Sequence, residues 1–132
     1  MKKLGIALLM TLGLALGGAL VQAASLSDTD KQFLARYEKV RGALAADDLN
    51  AARTAAGDLG DDGAVLAKSS SLKEARAAFE KLSDKAKQLA AGQSGYYVAY
   101  CPMVKKDWVQ TSETIANPYG GKEMLMCGEI KK

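Results

Sequence analysis

The sequence predicts a mainly α-helical chain: a small up-and-down bundle of about three main helices, with an irregular Cys/Met-rich C-terminal loop. Two observations lead there. Behind three capping residues, apolar side chains recur at the three- and four-residue spacing of a helix face, over 33–44, 49–59 and 72–89. Beyond Gly92 that spacing stops. The run from Cys101 to Cys127 then collects both cysteines, both prolines, the single tryptophan and three of the five methionines, Met103, Met124 and Met126.

The chain opens with MKKLGIALLMTLGLALGGALVQA. Lys2 and Lys3 form a charged n-region, Leu4 to Leu20 an apolar stretch and Val21-Gln22-Ala23 a small-residue cleavage site, so residues 1–23 read as a secretory signal. The apolar stretch approaches the length of a membrane span, and a retained anchor is the competing reading. Gly13, Gly17, Gly18 and the cleavage pattern favour removal. The expected product is an exported, periplasmic domain over 24–132 with no stable membrane span.

Removing Lys2 and Lys3 from 18 basic residues leaves 16 against 15 acidic ones. That near-neutral balance offers no footprint for nucleic acid or an anionic membrane. Histidine is absent from the sequence. Ser-His-Asp and Cys-His catalysis in their usual forms are therefore excluded, as are histidine-ligated zinc and haem. No nucleophile has an evident base and no Cys-x-x-Cys pair occurs, so an enzyme is not expected.

The first helix is expected from Thr29, where Thr29-x-x-Gln32 resembles a capping box, to about Asp47. Phe33, Tyr37, Val40 and Leu44 make its stripe, with Arg36, Lys39 and Arg41 mostly turned to water. Asp48 is the expected N-cap of an alanine-rich helix from Leu49 to about Ala56. The run Gly57–Gly63 carries three aspartates but lacks the spacing and terminal glutamate of an EF-hand, so it reads as a solvated loop. Ser71-x-x-Glu74 caps the clearest helix, striped by Leu72, Ala75, Phe79, Leu82, Ala86 and Leu89 and stopped by Gly92. Its charged residues read as a solvated face.

The segment 96–128 has a different texture. Tyr96–Tyr100 is rich in strand formers and should run extended to Cys101. A brief helical turn is expected near Thr111–Ala116, followed by a chain reversal at Asn117-Pro118-Tyr119-Gly120-Gly121. The reversal would return Met124–Cys127 to Cys101 and Met103. Soft Cu(I) and Ag(I) prefer thiolate and thioether ligands. Cys101, Met103, Met124 and Cys127 are therefore candidate ligands, with Met126 as a spare and Trp108 as a shield or cation–π neighbour. Asn117, Pro118 and Tyr119 would shape the turn. Two cysteines in an exported chain also suit a Cys101–Cys127 disulfide, and methionines fill core gaps without any metal. Spacing leaves all three readings open.

Arg76–Ser83, Tyr100-Cys-Pro-Met103, Trp108, Ile115-Ala-Asn-Pro-Tyr119, Gly121, Met124 and Cys127-Gly128 together resemble the DUF3347 domain family. That domain occurs alone in exported bacterial proteins, and fused to heavy-metal-binding segments and to adaptors of copper/silver efflux pumps. The resemblance covers most of the chain after the leader and is most specific from Tyr100 to Gly128. It implies a helical bundle with a Cys/Met-rich loop that binds Cu(I) or Ag(I) and sequesters it or hands it over. The implied partner is a heavy-metal efflux or copper-handling envelope protein. A disulfide-stabilised docking module without metal is the alternative.

Overall fold

A computed structural model describes residues 24–132; the stretch 1–23, expected to be a secretory signal, lies outside the described residues. Helix α1 spans Asp28–Ala45, α2 Leu49–Gly57, α3 Ala64–Ala67 and α4 Leu72–Ala90. Three strands follow, β1 Tyr97–Cys101, β2 Lys106–Gln110 and β3 Glu129–Ile130. The fold is mainly α with a minor antiparallel sheet, ordered β2-β1-β3.

Local side-chain chemistry accounts for the starts of α1, α2 and α4. The Ser27 hydroxyl, not Thr29, caps α1 by accepting from the Asp30 N–H at 3.1 Å, two residues earlier than the capping-box spacing indicated. Asp48 caps α2, and Ser71 caps α4 while the Glu74 carboxylate reaches back to the Ser70 N–H. Between α2 and α4 the aspartate-bearing segment tightens into a 3₁₀ turn over Gly60–Gly63 that runs into α3. That short helix presents Leu66 to the core.

The segment expected to be an irregular loop contains most of the sheet. β1 pairs with β2 over five residues, Tyr97↔Gln110 to Cys101↔Lys106, and with β3 at Ala99↔Ile130 and Tyr100↔Glu129. Helical geometry is absent at 111–116, where residues 111–114 form bends and 115–116 have no regular structure. The reason lies in Gln110, whose amide donates to the Ser112 and Thr114 carbonyls and whose Oε1 accepts from the Ala116 N–H. Those backbone groups are spent on a side chain rather than on a helical ladder. The turn instead comes later, as a 3₁₀ helix over Gly121–Met124.

An aromatic line joins the helices to the sheet. Tyr37 stacks on Phe79 with centroids 5.0 Å apart, Phe79 meets Tyr119 at 5.6 Å, and Tyr119 meets Trp108 edge-on at 6.3 Å. Tyr37, Phe79 and Trp108 are fully buried, and each such ring contributes roughly 2–3 kcal/mol through the water it excludes. The polar tips are satisfied. Tyr37 Oη accepts from the Val109 N–H at 3.1 Å and lies 2.9 Å from Ser83 Oγ, while the indole N–H of Trp108 donates to Gln110 Oε1. Burial pushes the phenols of Tyr37 and Tyr119 well above their usual range.

Candidate functional site

The two cysteines arrive from opposite directions. Cys101 ends the central strand and is fully buried; Cys127 follows the 3₁₀ turn and is only partly buried. They are joined as a disulfide with Cα atoms 5.4 Å apart. In this oxidised state their sulfurs are not thiolate donors, so the proposed four-sulfur arrangement of Cys101, Met103, Met124 and Cys127 requires reduction.

The methionines behave differently from one another. Met103 lies in the β1–β2 turn and is 74% exposed; Met126, next to Cys127, is 64% exposed. Met124 ends the 3₁₀ turn and is half-buried. Two thioethers thus stand in solvent within two residues of the bridge, and the third is partly packed away. Trp108 is fully buried, so its indole is a core element and not an open lid.

The reversal expected at 117–121 is built mainly by one side chain. Asn117 Oδ1 accepts from the Tyr119 and Gly120 N–H groups at 2.8 and 2.9 Å, an Asx-type turn. Its Nδ2 donates to the Cys127 carbonyl at 3.1 Å, and its own N–H bonds the Leu125 carbonyl. Asn117 therefore sets where Cys127 returns. Pro118 is buried beside it, and its carbonyl accepts from Arg76 Nε at 2.8 Å. At the far side of the bridge, Gly128 has φ +146°, and a Cβ there would approach Trp108 Cη2 to 3.0 Å. The chain can pass so close to the indole because that position has no side chain.

Arg76, Asp47 and Gln110 organise this region and were not legible as doing so. Arg76 departs from the solvated face expected of the charged residues on α4. It borders the α4 stripe one residue after Ala75, which was the available signal. It donates to the Leu44 carbonyl and the Asp47 carboxylate as well as to Pro118. Lys87 likewise bridges Asp84 and Asp107 instead of simply facing water. Desolvation opposes the charge on Lys87, but its bonds to the two carboxylates outweigh this and raise its pKa.

Among the described residues no group of three or more Cys, Asp or Glu side chains is placed to hold a metal ion, and no helix is long and apolar enough to cross a membrane. No family model, curated protein or solved structure matches the chain.

Proposed function

We propose that this is an exported domain that binds the soft ions Cu(I) or Ag(I) through sulfur, as cargo to be sequestered or handed to an envelope efflux or copper-handling protein. One observation carries the reading: of the three large hydrophobic side chains in strong exposure among the described residues, Val65, Met103 and Met126, two are thioethers flanking the disulfide. Exposing a methionine forgoes burial of its apolar stem, whereas a soft ion gains from an accessible thioether. With the bridge closed, Met103 and Met126 are the accessible donors. Reduction would add thiolate, with Met124 within the same return segment. The DUF3347-like motif residues from Tyr100 to Gly128 point the same way.

Silver titration against a competing chelator, on oxidised and reduced protein, tests this. Met103→Leu with Met126→Leu should weaken silver binding by the oxidised form about tenfold or more. An oxidised protein whose silver affinity is unchanged by the double substitution would sink the proposed donors.

A second reading is a disulfide-closed docking module. The full burial of Cys101 within the bridge favours it, and exposed methionines suit adaptable protein contacts. It predicts no silver affinity in either redox state.

A further inference from the structure

The two halves of the disulfide differ in access and in anchorage. Cys101 has no exposed surface and ends a strand hydrogen-bonded on both sides, five residues to β2 and two to β3. Cys127 is only partly buried and sits outside regular structure, between the exposed Met126 and Gly128. Its backbone is held by its N–H to the Met124 carbonyl and by the Asn117 amide on its own carbonyl. Thiol–disulfide exchange needs the incoming thiolate to approach the attacked sulfur along the S–S axis, so access selects which sulfur reacts.

We propose that the bridge is opened at Cys127 alone, by an incoming thiolate that forms a mixed disulfide there and leaves Cys101 as a buried thiol. In the first step the thiolate RS⁻ bonds Sγ of Cys127, the Cys101–Cys127 bond breaks, and its electron pair leaves on Cys101 Sγ, which takes a proton. A second RS⁻ then attacks the mixed disulfide, releasing RS–SR and the Cys127 thiolate. Two electrons pass from the thiol reductant to the bridge. The buried position of Cys101 disfavours its thiolate as a leaving group, so exchange is slow, but its direction is set by access.

The consequence for metal rests on the function proposed above. The released thiolate belongs to a segment that carries Met124, Met126 and Cys127 together, while Cys101 stays in the core. Cys127, not Cys101, is then the thiolate offered to a soft ion.

Native oxidised protein is incubated with limiting glutathione, quenched in acid and mapped by peptide mass. Glutathione on Cys127 and none on Cys101 is expected; adducts on Cys101, on both equally or on neither overturn the proposal. Alkylation of the single variants gives an independent measure. The Cys127 thiol of Cys101→Ala should react about tenfold or more faster than the Cys101 thiol of Cys127→Ala under native conditions, with equal rates in denaturant. Equal native rates overturn it. In reduced protein Cys101→Ala should keep the wild-type silver affinity, and Cys127→Ala should fall to the weaker thioether affinity of the oxidised form. A reduced wild type that binds no silver removes the metal reading and leaves the thiol mapping standing.

Discussion

Arg76 Nη2 lies 2.6 Å from Asp47 Oδ1 and 2.9 Å from the Leu44 carbonyl, tying the middle of the chain to the end of its first helix. The other carboxylate oxygen of Asp47 accepts from the Lys122 N–H at 3.0 Å, and Arg76 Nε holds the Pro118 carbonyl. One ion pair thereby joins α1, α4 and the return segment that brings Cys127 to Cys101. Asp47 holds this position with a φ of +57°, a conformation in which aspartate is tolerated better than most residues.

This pair has a pH signature. The hydrogen bond from Arg76, and next that from the Lys122 N–H, hold the Asp47 carboxyl below its usual range. A lowered folded-state pKa gives stability that is present above the unfolded value, about 3.9. That stability is lost as pH falls through the folded value. Asp47→Asn should lower the urea midpoint near neutral pH and reduce the drop in midpoint between about pH 7 and pH 3. The drop should shrink without vanishing, because Glu74 and Asp107 are also held low. An identical drop in wild type and variant would show that the pair does not carry this linkage.

Gly121 marks how tightly the return segment fits the pair. Its φ is +59°, and a Cβ there would overlap Asp47 Oδ1 and come within 2.6 Å of Arg76 Nη2. Gly121→Ala should cost about 2 kcal/mol or more in urea unfolding, from left-handed strain and displacement of the ion pair together. The substitution should cost less in an Asp47→Ala background, where the nearest obstructing atom, Asp47 Oδ1, is gone. Equal costs in the two backgrounds would mean strain alone is responsible.

Lys105 makes the opposite prediction. It is an exposed residue at φ +54° in the β1–β2 turn, where a lysine pays left-handed strain that glycine does not. Lys105→Gly should stabilise by roughly 0.5 kcal/mol, the strain relieved exceeding the added entropy of the unfolded chain. Lys106→Gly, one position on, should destabilise, since that residue is in β2 and paired with Glu80. A loss of stability in Lys105→Gly would show that its side chain holds the turn.

Helices α2 and α4, and α1 apart from its first residues, were legible because their causes are local; the four-residue α3 had no such signal. Asp48 and Ser71 carry their capping chemistry in the sequence, and the stripe from Leu72 to Leu89 announces its own buried face. β2 was not legible, since Lys-Asp-Trp-Val-Gln has no clean alternation and its three buried residues are consecutive. β3 is two residues long and exists only because β1 is there to pair with. Gln110 belongs to no motif in the sequence, and its role comes from the three backbone groups that the fold places around its amide.

The Cys101–Cys127 run shows the same division. Sequence by itself determined that its sulfurs are concentrated there, that a reversal lies at Asn117–Gly121, and that histidine chemistry has no part. Residue types and short spacings settle those matters. Tertiary structure decided that the cysteines meet, that Cys101 is sealed while Met103 and Met126 stand in solvent, and that Arg76 and Asp47 position the return. Burial and pairing across 26 residues depend on which surfaces the packed helices leave open, and no short stretch of sequence encodes that.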